Sequence, residues 1–152
     1  MLSLFIRVAL VILSWSTLFF LPKKSFFKFI PVSLFSTSIL LVESLLGLSY
    51  KWWKVKGGAK AFVKCALAFV FGPFIVGNLW IFHLTYGKFW LYTCLNLFMD
   101  FLLAYPLNKL FQALQIYKLK KFKSIHLFLT AFPYSLLNYG FQLILDKNQK
   151  DQ

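Results

Sequence analysis

The chain has 152 residues, of which 60% are hydrophobic and 21% aromatic, and its mean hydropathy is +0.71. A water-soluble domain of this length cannot bury that much apolar surface, so the composition excludes an ordinary soluble domain. Seventeen basic residues against four acidic ones give a net charge of +13. Because the basic residues fall almost entirely between apolar segments, we expect anionic lipid headgroups as partners and no nucleic acid partner.

Five apolar segments approach or reach the roughly 20 residues that a helix needs to cross a hydrocarbon core. We therefore predict an all-α fold, a polytopic transmembrane helical bundle that forms a single integral membrane domain over residues 1–152. The predicted spans are 2–21, 30–49, 61–83, 89–107 and 126–145. The first apolar run has no small-residue cleavage site after it, so we expect it to be retained as a span.

The connections between the predicted spans are rich in lysine. The connection 50–60 mixes lysines with aromatic residues, which suits the headgroup layer of a membrane, and its Gly57-Gly58 pair stops the preceding helix. Residues 107–122 alternate apolar side chains with Lys and Gln at a spacing that predicts a basic amphipathic helix between spans four and five. The candidate lipid-headgroup contacts in these connections are Lys51, Trp52, Trp53, Lys54, Lys56, Lys118, Lys120 and Lys121.

The distribution of basic residues predicts the orientation of the chain. With five spans, the N-terminus and the second and fourth connections lie on one side and hold eleven of the seventeen basic residues, which leaves six on the other side. Basic residues accumulate on the cytoplasmic side, so we predict a cytoplasmic N-terminus in the cell (inner, cytoplasmic) membrane. Lys23, Lys24 and Lys28, which follow span one, favour the opposite orientation.

Two prolines and a polar turn predict the local geometry of the later spans. Two apolar segments flank the turn 84–88, which predicts a tight helical hairpin. Gly72-Pro73 predicts a kink in span three whose freed backbone carbonyl is satisfied by a neighbouring helix. Pro133 predicts a further kink in the last span, and the polar tail after residue 145 is expected to fray.

The hairpin also carries a resemblance to known sequences. Residues 72–90 read GPF..G..WIF.LTYGKFW, Asn96 and Asp100 form an N...D pair, and YKL and YGFQ follow at 117–119 and 139–142. In these features the chain resembles a group of small multi-pass membrane proteins of Bacillus-like bacteria. The resemblance covers roughly the last two thirds of the chain; it implies a multi-pass membrane fold and brings no assigned activity.

Polar residues inside the predicted spans form the candidate intramembrane site. A charge near the bilayer centre costs about 2.5–3.5 kcal/mol, so Glu43 and Asp100 require a partner or a function. We expect Arg7 to pair with Glu43, Lys64 to snorkel or to reach towards Asp100, and the amides to form interhelical hydrogen bonds worth about 0.6 kcal/mol each. The candidate intramembrane polar cluster comprises Arg7, Glu43, Asn78, Asn96, Asp100 and Asn138.

The sequence holds no motif for catalysis, for a metal or for a cofactor. There is no H-E-x-x-H, no nucleophile elbow and no phosphate-binding glycine loop. His83 and His126 belong at opposite ends of their spans, so they cannot share a metal ion. Cys65 and Cys94 lie at depths that differ by roughly 20 Å, so we expect both to be free, buried thiols.

Two functions remain open on these observations. The leading interpretation is a non-enzymatic structural or interaction protein whose partner is membrane lipid, another membrane protein or a second copy of the chain. The alternative is a small proton-coupled transporter or channel subunit in which Glu43 or Asp100 is unpaired and takes up protons. Five spans leave little room for a solute path within one chain, so transport favours an oligomer.

Overall fold

The computed structural model describes residues 2–54, 57–113, 118–121 and 123–150, and within them the chain is helical apart from one two-residue ladder. The helices are α1 (Leu2–Thr17), α2 (Lys23–Ser49), α3 (Gly58–Phe69), α4 (Ile75–Thr85), α5 (Phe89–Leu102), α6 (Asn108–Ala113) and α7 (Ser124–Lys150), and the strands are β1 (Trp53–Lys54) and β2 (Lys118–Leu119). A 3-10 turn, Leu18–Phe20, extends α1. One π turn, Val70–Phe74, joins α3 to α4, and another, Leu103–Leu107, joins α5 to α6, so the described residues form five long helices.

The length and hydropathy of these helices bear on the predicted spans. Three helices are long and apolar enough to cross a membrane, namely Lys23–Ser49, Gly58–Thr85 and Phe89–Leu110. The first helix is apolar but shorter, and α7 has 27 residues but carries Asn138 and Gln142 within its apolar stretch. The predicted helical fold is therefore confirmed, and three of the helices have the dimensions of spans.

Helix α2 begins seven residues before the predicted span 30–49. It starts at Lys23 directly after Pro22, whose backbone is still extended. Lysine is a good helix former, so the basic segment between the first two predicted spans belongs to the helix. Pro31 consequently lies in the helix interior, and it is exposed there.

The predicted amphipathic helix over 107–122 is wrong in its second half. Helix α6 ends at Ala113, and Lys118–Leu119 form a strand that pairs antiparallel with Trp53–Lys54. The backbone carbonyl of Trp52 also accepts hydrogen bonds from the backbone N–H groups of Lys120 (2.9 Å) and Lys121 (3.1 Å). The alternation of apolar and basic residues fits a strand as well as a helix, and pairing with a distant segment decides between them.

The predicted kink at Gly72-Pro73 is confirmed. Gly72 has non-helical backbone angles inside the π turn (φ −100°, ψ −106°). The indole N–H of Trp15 in α1 donates a 2.7 Å hydrogen bond to the carbonyl of Phe71, so a neighbouring helix satisfies a backbone group of the distorted turn. Gly72 is buried and faces α1 so closely that an added Cβ would lie 3.2 Å from Val11 Cγ2.

The hydrophobic core lies at one end of the bundle, which we call the hairpin end because the turn between α4 and α5 closes it. The predicted hairpin turn at 84–88 is present but shorter, at residues 86–88, because α4 continues to Thr85, and Gly87 occupies its left-handed position (φ +87°). Phe82 and Tyr92, which are fully buried, pack with centroids 5.1 Å apart. The buried residues of this core are Leu21, Phe29, Val32, Leu79, Phe82, Tyr92 and Tyr139.

We expect Gly72→Ala to lower the free energy of unfolding by about 1–3 kcal/mol, because the new methyl group would force α1 away from the π turn. An added Cβ would also lie 3.3 Å from Val11 Cα, which is backbone and cannot rotate aside. Gly77→Ala is the matched control, since its Cβ would meet nothing within 4 Å. The measurement is equilibrium unfolding in detergent, and equal stability of both variants would contradict the close packing.

Candidate functional site

Helices α2 and α7 run antiparallel and face each other through polar side chains, which we call the polar seam. On α7 the polar residues recur every fourth position and therefore share one face. The polar residues of α2 that face them lie near the start, in the middle and towards the end of that helix. The polar seam comprises Lys28, Ser33, Ser36 and Glu43 of α2 and Thr130, Tyr134, Asn138, Gln142 and Asp146 of α7.

At the hairpin end the polar seam closes on Asp146. Lys28 Nζ lies 3.0 Å from Asp146 Oδ2, and Gln142 Nε2 donates to Oδ1 at 2.9 Å. The hydroxyl of Tyr86 in the hairpin turn also donates to the Asp146 carboxylate. Lys28 Nζ lies 4.5 Å from the centroid of the Tyr86 ring, which adds a cation–π contact.

These contacts shift the pKa values of Asp146 and Tyr86 at the hairpin end. Burial acts to raise the pKa of Asp146, but the hydrogen bonds from Tyr86, Lys28 and Gln142 and the Lys28 charge outweigh it, so the pKa lies below its usual value of 3.8. Burial, together with the Asp146 carboxylate, raises the pKa of Tyr86, which keeps its hydroxyl as a donor. The expectation that the tail frays from residue 146 is wrong at this position, because Asp146 has three side-chain partners.

In the middle of the polar seam two amides converge on one hydroxyl. Asn138 Nδ2 donates to Ser36 Oγ at 2.7 Å, and Asn78 Nδ2 of α4 approaches the same oxygen at 3.5 Å. Ser36 therefore joins α2, α4 and α7, as the predicted interhelical amide contacts require. Asn138 Oδ1, Gln142 Oε1 and Ser33 Oγ are buried without a hydrogen-bond partner in the described part of the chain.

At the far end of the polar seam Glu43 lies beside the Thr130 hydroxyl. The predicted Arg7–Glu43 ion pair is wrong, since within the described residues the one ion pair is Lys28–Asp146. The guanidinium of Arg7 instead contacts Cys65 of α3, and its Nε is buried with no partner. Arg7 and Glu43 lie at similar depths in the predicted spans, but similar depth does not bring two side chains into contact. Helix α1, which carries Arg7, packs on α3 and on the π turn that follows it.

The predicted approach of Lys64 to Asp100 is wrong as well. Lys64 is exposed and lines a groove with Arg7, whereas Asp100 Oδ2 is buried and has no partner among the described residues. Asn96 donates to the Tyr92 carbonyl of its own helix at 2.8 Å, so this amide does not form the predicted interhelical bond. The link between α5 and α7 is the hydroxyl of Tyr92, which donates to the Ser135 carbonyl at 2.8 Å.

The short ladder assembles a second candidate site at the other end of the bundle, which we call the ladder end. It brings the two lysine-rich connections together, and all of the described lysines on it are exposed. None of them forms an ion pair with a described acidic residue. This basic surface consists of Lys51, Lys54, Lys118, Lys120 and Lys121. Trp52 and Trp53 lie in the same backbone segment, and the predicted contact Lys56 lies outside the described residues.

Within the described ranges, no group of three His, Cys, Asp or Glu residues is placed to hold a metal ion. Cys65 and Cys94 are free thiols, as predicted. The expectation that both are buried is wrong, because Cys65 is half-buried and Cys94 is exposed on α5. His83 Nδ1 lies 2.9 Å from the hydroxyl of Ser25, which connects α4 to the first turn of α2.

The fold and these sites define a class: a helical protein with three helices able to cross a membrane, a buried polar seam and an exposed basic surface. No protein-family model, curated protein or solved structure matches the chain. The resemblance to small multi-pass membrane proteins therefore stays a prediction.

We expect Ser36→Ala to lower the free energy of unfolding by about 1–2 kcal/mol, because it removes the acceptor of the buried Asn138 amide, whereas Asn78 keeps the Phe74 carbonyl as an acceptor at 3.3 Å. The control is Ser38→Ala, since Ser38 is exposed and its hydroxyl bonds only to the Leu34 carbonyl of its own helix (2.9 Å). We expect that variant to lie within about 0.5 kcal/mol of the parent protein. Equal losses for both variants in detergent unfolding would contradict the role of Ser36.

We expect Asp146→Asn to cost about 1–2 kcal/mol of stability at neutral pH, with the Lys28 charge discounted for solvent screening. Because the folded-state pKa of Asp146 is depressed, its contribution is complete above pH 3.8 and is lost as the pH falls through the lower folded-state pKa. Unfolding curves across acidic pH should show this loss in the parent protein and in a Lys147→Gln control. If Asp146→Asn lost as much stability at acidic pH as the parent protein does, Asp146 would not be the group responsible for that loss.

Proposed function

We propose that this chain is a non-enzymatic integral membrane protein of the cytoplasmic membrane that binds anionic lipid headgroups through its basic surface. Five long helices cross the bilayer in this proposal, with α1 and α7 packed against the three helices that have the full dimensions of spans. The resemblance of residues 72–142 to small multi-pass membrane proteins supports the same architecture.

One observation carries the proposed function. The register of the ladder places Lys54 directly opposite Lys118. Like charges at directly opposed positions of an antiparallel pair destabilise the pairing. A bound anion offsets this repulsion, and the basic surface includes no described carboxylate that does so. An anionic headgroup layer supplies such anions at high local density, and each nearby lysine contributes about 1 kcal/mol of attraction to it.

The proposed orientation agrees with this role. The basic surface belongs to the side that carries eleven of the seventeen basic residues, which supports a cytoplasmic location for it and for the N-terminus. The cytoplasmic leaflet is also the one whose surface potential is strongly negative. In a chain without Cys65 and Cys94, a thiol at Lys51→Cys should react with an impermeant reagent only from the cytoplasmic side, and labelling from outside would reverse the orientation.

A second candidate function has its own observation. Asp100 Oδ2 is buried without a partner, and neither Asp100 nor Glu43 forms an ion pair within the described residues. A lone acid inside a span is costly and is commonly found where protons are carried, which supports a proton-coupled transporter or channel subunit, as an oligomer. Under this alternative Asp100→Asn and Glu43→Gln fold normally but abolish a proton flux in vesicles; an unchanged flux would exclude it.

We expect Lys54→Gln, Lys118→Gln and Lys120→Gln, combined in one chain, to reduce enrichment of phosphatidylglycerol around the protein by an order of magnitude or more. The readout is energy transfer from the protein to a labelled phosphatidylglycerol in nanodiscs of mixed phosphatidylglycerol and phosphatidylcholine. Because these lysines are exposed, raising the salt concentration should reduce the enrichment of the parent protein as well.

The matched control removes the same charge from the hairpin end. Lys23, Lys24 and Lys88 are all exposed there, and the triple substitution to Gln leaves the basic surface unchanged. We expect this control to keep the full enrichment in the leaflet that contacts the basic surface. Equal loss in both triple variants would mean that net charge alone attracts the lipid, and the proposed role of the basic surface would be withdrawn.

A further inference from the structure

A groove of about 320 Å³ lies between α1 and α3 near the ladder end of the bundle. Arg7 of α1 and Lys64 of α3 both line it. A second hollow, of about 370 Å³, lies along the start of α3 and shares Lys64 with the first. The groove belongs neither to the polar seam nor to the basic surface, and it lies where the predicted Arg7–Glu43 pair proved wrong.

The two cations at the groove have no anionic partner. No described carboxylate forms an ion pair with Arg7 or Lys64. Arg7 Nε is buried and makes no hydrogen bond, although the guanidinium also contacts Cys65. Guanidinium groups present several donors in a fixed fork that matches phosphate oxygens, and an ammonium nearby adds a second positive charge. The positive charges of Arg7 and of the exposed Lys64, which both line the groove, therefore provide the elements of a phosphate site.

The rest of the groove is apolar. Val8, Val11 and Ile12 follow Arg7 along α1, and Ala68 faces them from α3 one turn beyond Lys64. The distance along α1 from Arg7 to Ile12 is about 7.5 Å at 1.5 Å per residue, which matches the first several methylene groups of an acyl chain. Val8 and Ile12 remain largely exposed after the chain has folded, so the protein leaves this strip open.

We propose that this groove binds a single anionic phospholipid, with its phosphate between Arg7 and Lys64 and an acyl chain along Val8, Val11, Ile12 and Ala68. The inference goes beyond the proposed function and rests on its membrane location. The basic surface attracts many exchanging headgroups through exposed lysines, whereas the groove holds one lipid by both its phosphate and its chain. The groove therefore selects an anionic phospholipid rather than an anion as such.

The test is native mass spectrometry of the full chain released from nanodiscs of equal parts phosphatidylglycerol and phosphatidylcholine. We expect the parent protein to retain one phosphatidylglycerol in preference to phosphatidylcholine. Arg7→Gln and Lys64→Gln should each reduce this retention about fivefold, and the double variant by about 25-fold, because each charge near an anionic headgroup contributes a comparable attraction. Arg7→Lys keeps the charge but lacks the fork of donors, so it should retain more lipid than Arg7→Gln and less than the parent protein.

A groove-filling variant separates a lipid from a simple ion. Val8→Phe leaves both cations in place and lies at an exposed position, so it should fold while the larger ring occupies the path of the acyl chain. We expect it to reduce retention at least fivefold. Unchanged retention in Val8→Phe, or displacement of the lipid by millimolar inorganic phosphate, would overturn the proposal in favour of an anion site.

The variants of the basic surface distinguish this proposal from the preceding one. The chain carrying Lys54→Gln, Lys118→Gln and Lys120→Gln should retain its single lipid, because none of these residues lines the groove. If that chain loses the lipid while Arg7→Gln and Lys64→Gln keep it, the groove proposal is wrong and the basic surface accounts for all binding. Equal retention in the parent protein and in the double variant Arg7→Gln, Lys64→Gln would also overturn it. Should Arg7→Gln fail to fold, Lys64→Gln and Val8→Phe, both at exposed positions, decide the question.

Discussion

A polar group on an apolar helix is costly unless it finds a partner inside the bundle, because the apolar surroundings of the helix offer none. This constraint determines how the five long helices pack. Ser36 accepts from the amides of Asn138 and Asn78 and thereby fixes α2 against α7 and α4. The indole of Trp15 satisfies a carbonyl of the π turn and fixes α1 against α3 and α4. Apolar contacts supply area, and these few directional contacts specify which faces meet.

The two ends of the bundle differ in whether their charged side chains have partners. At the hairpin end Lys28, Tyr86 and Gln142 all contact the Asp146 carboxylate above an aromatic core, while Lys23, Lys24 and Lys88 are exposed and form no ion pair with a described residue. At the ladder end the lysines of the basic surface, together with Arg7 and Lys64, have no described acidic partner. The side that includes the ladder end holds eleven of the seventeen basic residues, and this asymmetry is the physical basis of both lipid-binding proposals.

Several features of the candidate sites escaped sequence reasoning for one recurrent reason. The depth of a residue along a helix can be counted from the sequence, but the sequence does not show which helices are neighbours. Arg7 and Glu43 come out at the same level, yet α1 packs on α3, so Arg7 faces Lys64 across a groove and Glu43 faces Thr130. Asp146 was assigned to a fraying tail because its partners, Lys28 and Tyr86, lie more than fifty residues away in sequence. The polar repeat every fourth residue on α7 was the one available signal that this helix carries a polar face to its end.

The sequence by itself determined the helical class, the hairpin turn and the kink at Gly72-Pro73, because hydropathy, turn residues and proline act on the local backbone. It also singled out Asn78 and Asn138, which are costly in an apolar segment and meet at Ser36, but it did not single out Ser36 or Asp146. Only the tertiary structure decided their partners. The strand at Lys118–Leu119 exists because Trp53–Lys54 is there to pair with it, and the polar seam exists because α2 and α7 meet antiparallel. Such contacts between distant segments depend on how the helices pack, and local periodicity does not encode them.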